Sequence, residues 1–262
     1  MRIVLSNIVA IYRKELQGYF ASSFTYVIAG VFWLLSGVLF LQTLVTTTAN
    51  VSLSEQMGNS VPVDVPYLVL GNYLGWLAVI SLFVLPMLSM SLYTEERKRG
   101  TLELLATSPI TNWAVALGKL LGVLTFFVAM VLPLLVYEAI AFSSADPPMS
   151  PTLFLFGHLG LVLMAAAVLS LGMFISSLTD STILAAILTF VVMVFLLLVN
   201  WLAENVQGPL GEALTHLSLI QHYGNFVQGI LDPSSIVLFL SYVVLGLFLT
   251  AQSIEAFRFQ RS

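Results

Sequence analysis

Six long apolar runs decide what this chain can fold into. A helix needs about 20 apolar residues to cross the hydrocarbon core of a bilayer. The runs cover about residues 24–45, 68–92, 113–141, 152–178, 182–202 and 234–255. Hydrophobic residues make up 59% of the chain and charged residues 8%, whereas a soluble domain carries about 25% charged residues. The sequence therefore predicts an all-α integral membrane protein with six transmembrane helices.

Residues 3–20 are predicted to form an amphipathic helix and not a span. Apolar side chains recur at three- and four-residue steps on one face, and basic and amide side chains occupy the other. This pattern is typical of a helix in the membrane surface; a short helix packed against a neighbouring element is the alternative. Since no small-residue cleavage site follows the first apolar run, we expect no signal peptide. The apolar face comprises Val4, Ile8, Ile11, Tyr12, Leu16 and Tyr19.

The distribution of basic residues predicts the orientation. Six spans put both termini on one side, and every lysine and arginine falls on that side or within a few residues of it. Because cytoplasmic loops are enriched in Lys and Arg, we expect both termini in the cytoplasm and a multi-pass location in the plasma or inner membrane. The basic residues are Arg2, Arg13, Lys14, Arg97, Lys98, Arg99, Lys119, Arg258 and Arg261.

A densely charged stretch separates the second apolar run from the third. Six charged residues fall between Glu95 and Glu103, and a cluster of that density cannot lie in lipid. Gly100 is expected to end an extension of the second span, and Thr101 to cap a short new helix. The apolar residues of this short helix are Leu102, Leu104 and Leu105. A solvated loop that only fixes topology would not need them, so they indicate a docking surface.

Catalytic and metal-binding motifs do not occur in the sequence. No phosphate-cradling G-x-x-x-x-G-K-[ST] loop is present, so the chain is not expected to hydrolyse ATP by itself. His216 and His222 are six positions apart, which is poor spacing for metal ligands. We therefore predict no catalytic residue, no metal site and no cofactor on this chain. The net charge of −4 argues against nucleic acid as a partner.

One ionisable pair is expected near the membrane interior. Glu138 lies late in the third span and His158 lies early in the fourth, across a short loop. In an antiparallel hairpin the two side chains can approach each other at similar depth. An intramembrane ionisable pair indicates a functional site; the alternative is that both side chains lie in the wet outer interface.

Two glycine pairs fit the G-x-x-x-G pattern, which lets helices approach closely. They are Gly71 with Gly75 and Gly118 with Gly122. Since the chain contains 17 glycines, packing inside the subunit is the simpler interpretation of both pairs.

The charged stretch resembles the ABC-2 type transporter permeases, especially the branch of gliding-motility and copper-enzyme-maturation permeases. The pattern E-x-x-x-G-T-[LI]-E-x-L runs here from Glu96 to Leu105 and is followed by Ser108-Pro109-Ile110. Ser23 departs from the proline that relatives often carry before the first span. Supporting matches are Lys14-Glu15, Tyr19-Phe20, Leu217-Ser218-Leu219 and Gly229-Ile230-Leu231-Asp232.

The resemblance implies one transmembrane domain over residues 1–262 that dimerises with a second permease subunit. It also implies a separate ABC ATPase that carries ATP and Mg, and membrane lipid against the N-terminal helix. The stretch 95–109 would be the main coupling helix, and the turn around Asp180 a second contact. The implied coupling residues are Glu95, Glu96, Arg97, Lys98, Arg99, Gly100, Thr101, Leu102, Glu103, Leu105, Pro109 and Asp180.

We therefore expect a permease subunit of an ATP-driven exporter, and not an enzyme. One alternative is a membrane anchor of a motility or secretion machine without transport. Another is a stand-alone secondary transporter or channel, which inverted repeats and several buried charges would favour; no clear repeat is visible. The spans lack a charged binding site, which favours an apolar, amphipathic or peptide-like cargo.

Overall fold

The computed structural model describes residues 2–58, 63–101, 110–145 and 149–259. All regular structure in these residues is helical, and six candidate spans are long and apolar enough to cross a membrane. The predicted all-α membrane fold is thereby confirmed. The helices are α1 (Arg2–Ala21), α2 (Ser23–Gln56), α3 (Val65–Ser89), α4 (Ser91–Lys98), α5 (Asn112–Ser143), α6 (Pro151–Leu178), α7 (Thr182–Asn205), α8 (Pro209–Leu217), α9 (Leu219–Val227) and α10 (Pro233–Phe259).

Helix α6 lies at the centre of the bundle, because its small residues let three neighbours approach closely. A Cβ on Gly157 would lie 2.3 Å from Leu74 of α3, and a Cβ on Gly160 would lie 2.5 Å from Phe226 of α9. Gly246 of α10 approaches the backbone of α6 in the same way. The core of the bundle therefore follows α6, with α3, α9 and α10 around it.

Helix α2 extends beyond the first apolar run. The polar residues from Thr46 onward are expected to form a loop, yet the helix continues to Gln56. The hydroxyl groups of Thr46, Thr48 and Ser52 donate to carbonyl oxygens one turn earlier in the same helix. This local bonding satisfies polar side chains within a helix, which corrects the predicted start of the loop.

The segment between the fifth and sixth spans is more ordered than its mildly polar composition predicts. It forms the two short helices α8 and α9, which meet at Ser218. The Ser218 hydroxyl donates to Oδ1 of Asn200 at 2.6 Å and accepts from the amide of Gln221 at 3.2 Å. The Tyr223 hydroxyl donates to the Leu74 carbonyl at 2.8 Å, and burial raises the pKa of this phenol. The two helices therefore pack into the bundle.

Candidate functional site

One end of the bundle, here called the basic end, carries α1, α4 and the turn between α6 and α7. The coupling residues expected from the sequence that the structure describes, from Glu95 to Thr101 and Asp180, fall at this end. Leu102, Glu103, Leu105 and Pro109 lie outside the described residues. The structure therefore positions the beginning of the predicted coupling stretch, up to Thr101, and the second expected contact around Asp180.

Helix α1 packs lengthwise on α5, and the two helices run in the same direction. The Gly118 and Gly122 pair makes this possible, because a Cβ on Gly118 would lie 2.9 Å from Ile11 and one on Gly122 would lie 2.8 Å from Glu15. Tyr19 stacks on Phe126 further along, with ring centroids 5.3 Å apart. The pair thus serves packing inside the subunit.

The apolar face of α1 therefore has a protein partner. Tyr19 is buried, whereas Val4, at the start of the predicted apolar face, is 43% exposed. The Tyr19 hydroxyl donates to the Leu88 carbonyl at 2.7 Å, and burial raises the pKa of this phenol far above its usual range. This packing is that of a helix against a neighbouring element, and the location of α1 in the membrane surface stays a prediction.

A buried ionic cluster joins α1, α4 and α5, and sequence reasoning did not find it. The Lys119 ammonium lies 2.9 Å from Oε1 of Glu15 and 3.0 Å from Oε1 of Glu96, and it donates to the Leu92 carbonyl at 2.7 Å. The Lys119 side chain is 3% exposed, and each glutamate side chain is 15% exposed. Lys14, with a 71% exposed side chain, adds its ammonium 3.4 Å from Glu96. These four residues are here called the Lys119 cluster.

Helix α4 ends where the glycine in the charged stretch predicts a break. Gly100 has φ of 71°, a left-handed conformation that glycine adopts without steric penalty. The amide of Gly100 donates to the Arg97 carbonyl and that of Thr101 to the Glu96 carbonyl, at 3.1 and 2.9 Å. This pair of bonds is a Schellman motif, which satisfies the last carbonyls of a helix. Thr101 therefore closes α4, and its expected role as cap of the next helix concerns residues outside the described part.

Ser176 of α6 fastens the junction between α3 and α4. Its hydroxyl accepts hydrogen bonds from the amides of Tyr93 and Thr94, at 2.9 and 3.3 Å, and donates to the Met90 carbonyl at 2.9 Å. A side chain inserted into the backbone hydrogen-bond ladder is a known cause of helix interruption. The helix breaks at Met90 and continues through Pro86; the kink that proline predicts at Pro86 stays a prediction.

The two contacts expected from the resemblance lie side by side. Besides the Ser176 bonds, a hydrogen bond from Arg97 connects α4 to α6. Nη1 of Arg97 donates to the Ser177 carbonyl near the end of α6 at 2.8 Å. An open cavity of about 770 Å³ separates the end of α4 from the turn that begins α7. Its charged lining residues are Glu95, Lys98, Arg99 and Asp180. The basic end therefore presents a concave surface with both signs of charge.

The predicted coupling residues on α4 have different surroundings. Glu95 and Arg99 form an exposed ion pair at 3.5 Å, and the Lys98 side chain also points to solvent. Glu96, in contrast, lies in the Lys119 cluster. Only the exposed residues are free to contact another protein directly, whereas Glu96 can act on a partner only through the position of α4.

Glu138 and His158 approach each other inside the bundle. Nε2 of His158 lies 3.3 Å from Oε1 of Glu138, and its Nδ1 lies 2.9 Å from the Phe154 carbonyl. Both side chains are buried, and Tyr73 and Tyr137 form a hydrogen bond on neighbouring helices. Since a carbonyl can only accept, Nδ1 carries a proton, and the bond to Glu138 needs a second proton shared by the pair. A role of this pair in transport stays a prediction.

The two histidines between the fifth and sixth spans have ordinary polar contacts. Nδ1 of His222 lies 2.8 Å from the Ser235 hydroxyl, and its Nε2 lies 3.3 Å from the carbonyl of His216. Within the described ranges, no group of three or more His, Cys, Asp or Glu residues could hold a metal ion.

Comparison with known proteins gives the family. Residues 9–259 match the family described as ABC-2 family transporter protein. Because the match covers nearly the whole chain, this protein belongs to the ABC-2 transporter family, whose permeases span the membrane. The resemblance seen in the charged stretch is confirmed at this level, and the branch within the family stays a prediction.

Two curated relatives carry a more specific description. They are the probable multidrug ABC transporter permease YbhR of Escherichia coli strain K12 and of Escherichia coli O157:H7. Each is 27% identical to this chain over 172 residues, which cover 64% of the chain and 44% of the relative. The chain thus matches less than half the length of these relatives.

Proposed function

We propose that this protein is the membrane-spanning permease subunit of an ATP-driven exporter. A separate ABC ATPase holds ATP and Mg, docks at the basic end and drives the helices between two states. Membership in the ABC-2 transporter family supports the transport role. Both termini and the basic end lie in the cytoplasm, as expected for a surface rich in Lys and Arg.

The observation that carries the proposal is the concave surface formed by α4 and the α6–α7 turn. Glu95, Lys98, Arg99 and Asp180 line one cavity, so a partner seated there contacts both elements at once. The bonds of Ser176 and Arg97 tie α4 to α6. A push on α4 is therefore passed to α6, the central helix of the bundle. For ATP to drive the change, the ATPase must contact this surface differently in the two states of the permease.

The experiment is purification of the membrane complex with its native ATPase, followed by ATP hydrolysis in nanodiscs. Charge reversal in the double variant Lys98→Glu, Asp180→Lys is expected to reduce the co-purified ATPase roughly tenfold or more, because like charges facing each other across an interface cost several kcal/mol. Arg13→Glu, an exposed reversal on α1, is the matched control and should leave binding unchanged. Leu105→Asp is expected to weaken binding as well. A complex that survives both the double variant and Leu105→Asp unaltered would refute docking at this surface.

The proposal includes an apolar or amphipathic cargo and a second permease subunit. The relatives are described as probable multidrug permeases, which supports amphipathic cargo. An apolar groove of about 300 Å³ between α2 and α3, lined by Phe24, Val31, Trp76 and Phe83 among others, offers a matching surface. Stimulation of ATP hydrolysis by amphipathic compounds, with small inorganic ions as the control, tests the cargo. Cross-linking of the complex tests for the second permease.

A second candidate function is a stand-alone transporter driven by protons. The buried Glu138–His158 pair favours it, since such pairs mark proton pathways in membrane proteins. Transport by the chain reconstituted in vesicles without any ATPase distinguishes the two candidate functions. Uptake or release driven by a pH gradient alone would favour the second candidate, whereas strict dependence on ATP and the ATPase would favour the first. A membrane anchor without transport would show neither.

A further inference from the structure

The Lys119 ammonium is fully hydrogen-bonded within the protein. A lysine ammonium has three donors, and Lys119 has three acceptors, on Glu15, Glu96 and Leu92. The ring of Tyr93 lies 4.8 Å from the ammonium and adds a cation–π contact. With every donor used by the protein, this lysine has no need of a ligand, which indicates a role in holding structure.

The partners of Lys119 come from different helices. Glu15 lies on α1, whereas Glu96 and Leu92 lie on α4, and Lys119 itself lies on α5. Two carboxylates and two ammonium groups, including Lys14, make the cluster neutral overall. Moving α1 or α4 away from α5 would leave charges buried without partners, which is strongly unfavourable. Motion of the three helices as one body avoids this cost.

We propose that Lys119 is a positioning residue that binds α1 and α4 to α5, so that the three helices move as one body. This inference goes beyond the proposed function. Only its consequence for coupling, that a partner which displaces α4 also displaces α1, rests on the proposed function. The close packing of α1 on Gly118 and Gly122 supports the same unit, because it brings Glu15 within reach of Lys119.

Two lysines of the cluster allow a matched test. Lys119 and Lys14 are the same residue type and contact the same two carboxylates, but the Lys119 side chain is 3% exposed and that of Lys14 is 71% exposed. An exposed ion pair contributes little because water and salt screen it. Removing Lys119 should therefore release α1 and α4, whereas removing Lys14 should not.

The experiment measures the distance between nitroxide labels on α1 and α4 of the full chain in nanodiscs. The chain has no cysteine, so Ala10→Cys and Lys98→Cys, both at exposed positions outside the cluster, label it cleanly. Lys119→Met is expected to widen the distance distribution roughly twofold, since local opening follows loss of buried contacts. Lys14→Met is expected to leave the width unchanged.

A third variant keeps the test meaningful if Lys119→Met fails to fold. Glu15→Gln, Glu96→Gln, Lys119→Met removes the buried charges together and preserves volume, a change that proteins often tolerate. It should fold and still show the widened distribution. A narrow distribution in this variant, or equal widening by Lys14→Met, would overturn the proposal. The measurement needs no ATPase, so failure to co-purify an ATPase would count against the proposed function alone.

Discussion

The two G-x-x-x-G pairs should respond differently to alanine. A Cβ on Gly118 would lie 2.9 Å from the Ile11 side chain and 3.1 Å from the Ile8 carbonyl, and one on Gly122 would lie 2.8 Å from Cβ of Glu15. A Cβ on Gly71 would have its nearest neighbour at 3.8 Å, and one on Gly75 would have none within 4 Å. The first pair is therefore crowded and the second has space.

The magnitude follows from two opposing effects. Alanine is favoured over glycine inside a helix by about 1 kcal/mol per site, whereas overpacking costs about 1–3 kcal/mol per site. The double variant Gly71→Ala, Gly75→Ala should therefore be more stable than the wild type by about 2 kcal/mol. Because the helix propensity is the same in both doubles, Gly118→Ala, Gly122→Ala should be less stable than this control by about 2–6 kcal/mol.

The assay is reversible unfolding in mixed micelles with increasing sodium dodecyl sulfate, followed by tryptophan fluorescence. The chain has four tryptophans, which report on several helices. The label pair on α1 and α4 gives a second readout, since the crowded double should also move α1 away from α5. Equal free energies of unfolding for the two doubles would refute the inference that α1 packs on this glycine face.

Three further predictions concern single side chains. Ser176→Ala leaves two backbone amides of α4 without their acceptor and should lower the free energy of unfolding by about 1–3 kcal/mol in the same assay, whereas the exposed Ser241→Ala should have no effect. Hydrogen bonds from the hydroxyl and the amide of Ser234 lower the pKa of Asp232. Its stabilisation of the start of α10 should therefore persist at neutral pH and be lost in acid, as the pH falls through the folded pKa. Asp232→Asn should remove this pH dependence of the free energy of unfolding. Glu138→Gln should impair transport in reconstituted vesicles while the complex stays assembled, and full activity would remove Glu138 from the mechanism.

Hydropathy and helix punctuation predict most of the fold. Membrane spans need long apolar runs whatever their neighbours are, so their number follows from the sequence alone. Gly100 ends α4 because its positive φ is a local property. The short helices α8 and α9 had local signals too, namely Pro209 at a helix start and the cap at Ser218. Because polar and apolar residues alternate irregularly there, hydropathy alone did not predict these two helices.

The contacts between distant residues were beyond the reach of such local patterns. Lys119 is consistent with the positive-inside rule when it is considered alone, and nothing in the sequence pairs it with Glu15 or Glu96. The match of Lys14-Glu15 to the family pattern marked Glu15, but it did not identify Lys119 as its partner. Ser176 gave no signal, because a serine in an apolar helix usually bonds to its own backbone.

The Lys119 cluster changes how the charged stretch should be understood. Buried ion pairs are often no more stabilising than apolar residues of the same volume, so their presence is better explained by the helix movements that would leave a buried charge unpaired. At this site the ion pairs of Lys119 with Glu15 and Glu96 oppose the separation of α1, α4 and α5. Glu96, which the family pattern places next to exposed coupling residues, faces inward to Lys119, while Glu95 and Arg99 face solvent. One face of α4 can therefore meet a partner while the other fixes which helices move with it.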